Sequence, residues 1–418
     1  MTRKFSAVLL ALLLLFTFYF QAFGQKPVKD LKPTVILISL DGFRSDYIEK
    51  FNPPTLKKLV KNGVRAKWMI PSYPTKTFPN HYTVATGLYP DNHGIIENNM
   101  FDADINAVFG LRIREQVQNP LWWGGEPIWV TAEQQGQIAA SFFFPGTETL
   151  IKGKQPEYWK PYEHTLPNEE RVDTVLSWLD LPREKRPTMI TMYFSDVDDA
   201  GHGFGTDAEE TRRAVLKVDE SLNRLMQGLK ARKIDKKVNL IIVSDHGMAS
   251  YRLRDAVILD EFFDPNDAER IFWIGEFTQI FPKEGKEEKI YNDLKSKLPA
   301  NVSVYRRGDF PERFKFGKNK RIAPIVVTPT EGIYITNKAR YKEDEARGLL
   351  DKTRGGHGYD NAFESMRAIF IAHGSAFKKG AVVEPFENVN VYNLMCKILN
   401  LKPAPNDGNR DLAKEVLR

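Results

Sequence analysis

A single cysteine, Cys396, occurs in the sequence, so no intrachain disulfide can form. Cys396 lies in the segment 391–399, whose apolar residues recur at helical spacing, and we predict that its thiol is buried in the core. A chain without disulfides depends on its core, or on bound metals, for stability. The shortage of cysteine therefore directs attention to core packing and to metal ligands of other kinds.

The sequence also has no concentrated Lys/Arg block, no nucleic-acid-binding motif, no low-complexity tract and no internal repeat. Hydrophobic residues make up 42% and charged residues 27% of the chain, as in ordinary globular proteins. At 418 residues the chain is long enough to bury a substantial core. These features exclude a fibrous or extensively disordered protein, and no nucleic-acid-binding module is expected. We further expect the protein to be a monomer and its partner to be a small molecule.

The one long apolar run lies at residues 5–20, directly after the basic residues Arg3 and Lys4. Small residues follow at 22–24, where a cleavage site would stand. We predict a secretory signal peptide at 1–24, and hence a periplasmic or secreted protein with no stable membrane span after cleavage. An uncleaved anchor is the alternative, although the run is short for a span of roughly 20 residues. Cleavage removes two basic residues and no acidic one, which lowers the formal charge from +6 to +4.

Four short apolar runs, rich in β-branched residues, each end in polar residues of the kinds found in catalytic sites; they are 35–40, 189–194, 240–244 and 368–372. Continuous apolar runs favour the buried strands of a mostly parallel sheet. The segments 54–61 and 208–230 show apolar residues at helical spacing and separate these runs. Strands that alternate with helices predict an α/β fold, a mostly parallel sheet flanked by helices.

The stretch 251–352 is richer in charge than the rest of the chain. We interpret it as a small α+β lobe inserted into one catalytic domain that spans 25–418. Ligands of open α/β sheets gather at the carboxyl ends of the strands. Asp41, Asp198 and Asp245 follow three of the predicted strands, so they are expected to converge there.

Of the seven histidines, His202 and His357 each stand between two glycines, and His246 stands between Asp245 and Gly247. Glycine neighbours let the backbone bring an imidazole close to an ion. Asp198 and His202 are four residues apart, so one helical turn presents both to the same metal. Together with the three aspartates, these histidines form a mixed oxygen and nitrogen ligand set that suits Zn²⁺ better than Ca²⁺ or Mg²⁺. Six ligands are enough for two ions with open positions, and we interpret the other four histidines (His81, His93, His164 and His373) as structural.

Thr77 lies just before an apparent helix start near Pro79. A threonine hydroxyl is a weak nucleophile unless coordination to a metal lowers its pKa. The amide N–H groups of a helix start also favour an anion. Taken alone, Thr77 is as well explained as the cap of that helix.

Four motifs occur in a fixed order: Thr-Phe-Pro-Asn-His-Tyr at 77–82, Asp-Asp-Ala-Gly-His at 198–202, Ser-Asp-His-Gly-Met at 244–248 and Gly-His-Gly-Tyr-Asp-Asn at 356–361. With these motifs the chain resembles the nucleotide pyrophosphatase/phosphodiesterase family of the alkaline phosphatase superfamily, from about residue 34 to its end. The resemblance implies an alkaline-phosphatase-like fold and two Zn²⁺ ions.

The resemblance also implies roles for individual residues. One zinc would be held by Asp198, His202 and His357, and the other by Asp41, Asp245 and His246, with Thr77 as the reactive ligand of the second zinc. Asn98 would donate a hydrogen bond to a phosphoryl oxygen, and Phe78 and Tyr162 would sandwich a nucleobase, unless these aromatic side chains only form the pocket wall. Thr77 would attack phosphorus, and hydrolysis of the phosphothreonine intermediate would release a nucleoside monophosphate.

Related monoesterases with a threonine nucleophile carry a Lys-x-Arg pair that neutralises the extra phosphate charge. The matching stretch here, 141–146, contains three phenylalanines and no cation, which favours a diester with an organic substituent. We therefore predict a phosphodiesterase, with a phosphomonoesterase that uses the same two-zinc site as the alternative. A binding protein with purely structural zincs is a third reading, but structural sites are usually closed and rich in cysteine. The sequence leaves open whether dinucleotides, nucleoside triphosphates, nucleotide sugars or glycerophosphodiesters are cleaved.

Overall fold

The computed structural model describes residues 27–418, and the predicted signal peptide at 1–24 lies outside them. A central sheet of eight strands organises the chain. In chain order its strands are β1 (Val35–Leu40), β2 (Val64–Ala66), β3 (Ala139–Phe142), β4 (Tyr158–Trp159), β5 (Met189–Phe194), β6 (Asn239–Val243), β7 (Phe370–His373) and β8 (Ala381–Val383). Their order across the sheet is β8-β2-β7-β6-β1-β5-β3-β4.

The middle of the sheet is parallel, as predicted. β1 pairs in parallel with β5 and β6, and β3 pairs in parallel with β5 and β4. The fourth apolar run forms β7, which is antiparallel to both of its neighbours, β6 and β2. Because β7 runs the other way, the segment that precedes it, rather than the one that follows it, lies at the carboxyl ends of β1, β5 and β6.

Apolar side chains cover both faces of the sheet. In β1, Val35 and Leu37 belong to one core cluster, and Ile36 and Ile38 to another. This burial on both faces explains why the strand is a continuous apolar run instead of an alternating one. Cys396 is buried in the first cluster, and burial raises the pKa of its thiol to about 12, as expected for an inert core cysteine.

The main helices that pack around the sheet are α1 (Pro54–Asn62), α2 (Thr77–Thr86), α3 (Asn168–Leu179), α4 (Asp196–Phe204), α5 (Glu209–Ala231) and α6 (Asn390–Leu399). In α5, buried leucines and valines recur every three or four residues, which gives one apolar stripe. Shorter helices span Tyr47–Phe51, Pro90–His93, Arg114–Val117, Ile128–Gln134, Lys338–Ala346 and Asp411–Val416. Within residues 27–418, no helix has the combined length and apolar character needed to cross a bilayer.

A second, antiparallel sheet lies within the stretch 251–352. Its four strands are, in spatial order, Ala268–Phe272, Thr278–Pro282, Ile325–Pro329 and Val302–Arg306. The helix Glu287–Lys297 buries Ile290 and Leu294 in an apolar cluster that also contains Ile280, Val304 and Val327 from this sheet. A short antiparallel ladder between Ala249–Arg252 and Thr353–Gly356 joins the two ends of the stretch.

Candidate active site

Two groups of side chains meet at the carboxyl ends of β1, β5 and β6. Asp41, Asp245 and His246 form the first, which we call the buried cluster, and Asp198, His202 and His357 form the second, the open cluster; within each, one potential ligand atom per residue lies within 4.8 Å of the others. The imidazole rings of His246 and His357 stack with centroids 3.6 Å apart, so the two clusters are adjacent. The structure therefore brings together all six residues that the sequence predicts as metal ligands.

Local structure explains these positions. Asp41 directly follows β1, and Asp245 and His246 follow β6 after one intervening serine. Helix α4 carries Asp198 and His202 one turn apart, with His202 Nε2 at 3.4 Å from Asp198 Oδ2, as the four-residue spacing predicts. His357 comes from the segment that precedes β7.

All three histidines turn the same nitrogen toward the clusters. In each ring, Nδ1 lies against a backbone carbonyl oxygen: Gly355 O for His202 (2.8 Å), Gly247 O for His246 (2.8 Å) and Thr75 O for His357 (2.9 Å). A carbonyl oxygen only accepts, so Nδ1 donates its hydrogen and Nε2 keeps a free lone pair. This arrangement is the one that fixes histidine as a metal ligand in proteins.

The carboxylates also fit a cation. Asp41 Oδ1 and Asp198 Oδ1 are buried and have no hydrogen-bond partner, and buried Asp245 Oδ2 faces only His246 Nε2 (2.9 Å) and His81 Nδ1 (3.3 Å). Buried polar atoms are normally satisfied, and the exceptions need an explanation such as a bound ion. The donor set, carboxylate oxygens and imidazole nitrogens without thiolate, is one that Zn²⁺ accepts.

The electrostatics of the clusters agree with this view. Burial raises the pKa of Asp41, and the neighbouring Asp245 carboxylate raises it further. Burial likewise raises the pKa of Asp198. Burial pushes the pKa of Asp245 in the same direction, but its contacts with His246 and His81 hold it well below its usual range. A bound cation would stabilise the charged forms of aspartates that lie this close to one another.

Thr77 and Asn98 lie beside the buried cluster. Thr77 Oγ1 is 3.3 Å from His246 Nε2. Helix α2 begins at Thr77 itself, two residues earlier than predicted, and its N-cap position is Lys76, so Thr77 is not the cap. Asn98 Oδ1 accepts a hydrogen bond from Phe78 N (2.9 Å), which leaves the Nδ2 hydrogens of Asn98 as donors.

Tyr193 and His81 both support the buried cluster. The sequence does not single out Tyr193, and it indicates only a structural role for His81. Tyr193, in β5, donates its hydroxyl hydrogen to Asp41 Oδ2 (2.6 Å), and nothing in an apolar strand pattern signals this role. His81, interpreted from sequence as structural, has Nδ1 at 2.8 Å from Thr77 O and 3.3 Å from Asp245 Oδ2. His81 therefore positions both the Thr77 loop and a cluster carboxylate, although it belongs to neither cluster.

A buried ion pair links the start of α2 to the inserted stretch. Lys76 Nζ lies 2.8 Å from Glu276 Oε2, and both side chains are only 7% exposed. A Cβ on Gly358 would lie 2.3 Å from Lys76 Cε, and one on Gly356 would lie 2.3 Å from Glu276 Oε1. The two glycines that flank His357 thus let its backbone approach the ion pair, a reason for glycine that differs from close approach to a metal.

A cleft of about 840 Å³ opens beside the clusters, with Asp41, Thr77 and Asp198 in its wall. Phe78 and Tyr162, the predicted base-stacking pair, both line it. Phe78 is half-buried and packs on Trp123, whereas Tyr162 is 38% exposed.

The cleft wall is aromatic on one side and basic on another. Phe143 and Phe144, from the stretch predicted to form an uncharged wall, line it, and Phe143 packs edge-on against Tyr162 at 5.2 Å. Arg112 and Arg114 also line it, which the sequence comparison with monoesterases did not anticipate because they come from another segment. Arg114 pairs with Glu148 (2.9 Å), so the basic side is partly neutralised.

The chain was compared with known proteins. The family model described as type I phosphodiesterase/nucleotide pyrophosphatase matches residues 35–360. Ectonucleotide pyrophosphatase/phosphodiesterase family member 3 of Rattus norvegicus is 38% identical over 400 residues, 93% of this chain and 44% of the relative. Venom phosphodiesterase CdcPDE of Crotalus durissus collilineatus is 40% identical over 405 residues, 94% and 47% of the two chains. The chain spans about half the length of these curated relatives.

Solved structures of a related protein match this chain along their whole length. Murine ectonucleotide pyrophosphatase/phosphodiesterase 5 superposes with a TM-score of 0.85 and 34% identity, covering 92% of this chain and 100% of that chain. An inactive variant of the murine protein in complex with AMP gives the same values. The human protein superposes with a TM-score of 0.86 and the same identity and coverage.

Proposed function

The chain belongs to the type I phosphodiesterase/nucleotide pyrophosphatase family, and from this premise we propose that it hydrolyses phosphodiester and pyrophosphate bonds of nucleotide-type substrates. The observation that carries the proposal is the position of Thr77 Oγ1, 3.3 Å from His246 Nε2 and beside two preformed ligand clusters. The proposed cofactors are two Zn²⁺ ions. In the predicted compartment, the periplasm or the exterior, the enzyme would act as a monomer.

The buried cluster (Asp41, Asp245 and His246) would hold one ion and the open cluster (Asp198, His202 and His357) the other. When bound, two such cations lower the pKa of a coordinated hydroxyl and stabilise charge on the entering and leaving oxygens. The chain's own contribution is to fix each ligand, through the carbonyl contacts of the histidines and the Tyr193 hydroxyl.

Thr77 gives its hydroxyl proton to water and Oγ1 forms a bond to phosphorus, while the bond from phosphorus to the leaving alkoxide or phosphate breaks; a leaving alkoxide takes up a proton from water. This produces a phosphothreonine intermediate that still carries the nucleoside. Water then attacks phosphorus and loses a proton, the bond to Thr77 Oγ1 breaks, Oγ1 regains a proton, and a nucleoside monophosphate is released. In this proposal, Asn98 Nδ2 and the N–H groups at the start of α2 donate hydrogen bonds to the anionic phosphoryl group and stabilise its charge.

Phe78 and Tyr162 supply the nucleobase subsite in this proposal. Both line the cleft, and stacking on an aromatic ring requires only the π face of a base. The complex of an inactive variant of the murine relative with AMP supports a nucleotide-type ligand. Tyr162→Ala should raise KM about tenfold for a nucleotide diester and leave methyl p-nitrophenyl phosphate less affected; equal effects on both substrates would remove the stacking role.

A zinc-dependent turnover assay with bis(p-nitrophenyl) phosphate tests the mechanism. We expect turnover by the wild type, loss of turnover in Thr77→Ala, and partial activity in Thr77→Ser, which retains a hydroxyl. Metal analysis should find two zinc ions per chain. Undiminished turnover by Thr77→Ala would disprove the role of this residue, and a single zinc per active chain would disprove the two-ion site.

The phosphomonoesterase alternative draws support from Arg112, a cleft residue without a hydrogen-bond or ion-pair partner among the described residues. A free cation is what the extra charge of a monoester requires. Turnover of p-nitrophenyl phosphate should be much slower than that of the bis ester, and Arg112→Gln should reduce monoester turnover more than diester turnover. A preference of the wild type for the monoester would reverse the order of the two proposals.

A further inference from the structure

A second cavity, of about 400 Å³, lies at the junction between the inserted stretch and the Ala249–Arg252 ladder. We call it the junction cavity; its polar wall contains Tyr251, Tyr334, Arg340, Asp344, Arg347 and Arg354. It shares no lining residue with the cleft that contains Thr77. None of the steps proposed above uses it.

Arg354 is the unusual residue of this cavity. It is half-buried, and its Nε atom is buried without a hydrogen-bond partner. Arginine stays charged in proteins, so a buried guanidinium N–H without an acceptor carries an uncompensated desolvation cost. Arginines in such positions ordinarily face a carboxylate or a phosphate, whose oxygens fit the guanidinium fork.

The remaining charges of the cavity favour an anion as well. Arg340 pairs with Asp344 at 3.4 Å, and Asp344 is the only acidic residue in the wall. Arg347 pairs with Glu343, a residue outside the wall, at 3.7 Å. The lining therefore carries three arginines against one carboxylate, and the side chain of Arg354 remains without an ion-pair partner within the described residues.

The tyrosines add donors and a rigid surface. Tyr251 and Tyr334 stack with ring centroids 4.7 Å apart and an interplanar angle of 11°. A Cβ on Gly275 would lie 1.9 Å from Tyr334 Cε2, so the backbone at Gly275 packs directly against this ring. Burial raises the pKa of Tyr334 to about 12, which keeps its hydroxyl protonated and able to donate. Trp273 and Leu349 contribute apolar surface to the same wall.

We propose that the junction cavity is a binding site for a small organic anion, whose carboxylate or phosphate-type group accepts hydrogen bonds from Arg354 while its apolar part lies along the aromatic wall. The volume suits a ligand with a single ring. The binding is non-covalent and independent of the reaction at Thr77, so a failure of the phosphodiesterase proposal would not affect it.

Two iodinated probes, 4-iodobenzoate and 4-iodophenylphosphonate, locate the site and separate the two classes of anion. Crystals of the zinc-loaded protein are soaked with each probe, and the anomalous signal of iodine marks its position. We expect an iodine peak in the junction cavity with the acid group within hydrogen-bond distance of Arg354. The probe that gives the stronger peak identifies the preferred anion, and the absence of a cavity peak with both probes at saturation would overturn the proposal.

Arg354→Met and Arg354→Lys test the role of the guanidinium, with Arg252→Met as the matched control, because Arg252 is exposed and lies outside the cavity wall. By titration calorimetry we expect cavity binding to weaken at least tenfold in Arg354→Met, less in Arg354→Lys, and by less than about twofold in Arg252→Met. Without ligand, Arg354→Met should unfold at the same or a higher temperature, because a half-buried cation with an unsatisfied Nε has been removed. A lower unfolding temperature together with unchanged probe affinity would show that Arg354 is structural and overturn the proposal.

Discussion

The two ligand clusters differ in how far the protein itself completes them. In the buried cluster the side chains of Asp41, Asp245 and His246 are at most 2% exposed. In the open cluster the side chain of His202 is 45% exposed, and that of Asp198 is 15% exposed. One set of ligands is thus enclosed before any metal binds, whereas the other meets solvent.

Hydrogen bonds to neighbouring groups follow the same division. The carboxylates of the buried cluster accept from the Tyr193 hydroxyl and from Gly42 N, and His81 lies against Asp245. In the open cluster, Asp198 accepts no hydrogen bond from any described residue, whereas Asp41 and Asp245 in the buried cluster each accept at least one. Because surrounding groups that orient metal ligands raise metal affinity, we expect the buried cluster to bind its ion more tightly.

Removal of one ligand from each cluster should give the largest effect. Asp245→Asn should lower turnover of bis(p-nitrophenyl) phosphate on the order of 10³-fold, since a cation supplies several kcal/mol to the transition state. His202→Asn should cost about tenfold and recover with excess zinc, because an exposed position admits water as a replacement ligand. Equal losses, neither rescued by zinc, would contradict the division between the clusters.

The open cluster includes His357, whose flanking glycines pack against the buried Lys76–Glu276 ion pair. Variants of this pair test how much it stabilises the protein around His357. Both side chains are 7% exposed, so Lys76→Met leaves Glu276 buried and unpaired, and the free energy of unfolding should fall by about 3 kcal/mol. Denaturant titration measures this change. The double variant Lys76→Met/Glu276→Leu should recover much of the loss, and a single variant as stable as the wild type would show that the pair contributes little.

Tyr193→Phe sharpens the comparison from the side of the buried cluster. It removes the hydrogen bond to Asp41 Oδ2, and zinc affinity at that cluster should fall 10- to 100-fold. Turnover measured against free zinc concentration gives the shift. Tyr162→Phe, whose hydroxyl contacts His164 and no cluster residue, is the control and should leave the zinc dependence unchanged.

Slow chelation should reveal the smallest difference. In dilute EDTA we expect one zinc to leave several-fold faster than the other, because the open cluster is accessible to solvent. In a variant that carries Tyr193→Phe, the two release rates should approach each other. Simultaneous loss of both ions from the wild type would indicate that they bind as one cooperative unit.

Much of the fold and most of the site are predictable because they depend on local patterns. The apolar runs of β1, β5 and β6 and the spacing of Asp198 and His202 signal structure over a few residues. The direction of β7 is not signalled in this way, since a strand buried on both faces has the same composition whichever way it runs. The antiparallel direction of β7 within the predicted, mostly parallel sheet is therefore known only from its pairing with β6.

Sequence reasoning missed residues that contact partners far away in the chain, and residues whose sequence neighbours give no sign of a role in the site. Glu276 meets Lys76 across 200 positions of the chain, and charge alone does not single out either residue. Tyr193 occupies an unremarkable place in an apolar strand. Arg112 enters the cleft from a segment unrelated to 141–146, so the search for a cation in the matching stretch did not find it.

The ladder between Ala249–Arg252 and Thr353–Gly356 affects how freely the stretch between its two strands can vary in length during evolution. It brings the two ends of the inserted stretch side by side, next to His246 and His357. An insertion whose ends already meet can lengthen, shrink or be exchanged for another module at little cost in chain entropy at its base. The length of the stretch between the two strands of the ladder can therefore vary while His246 and His357 keep their places.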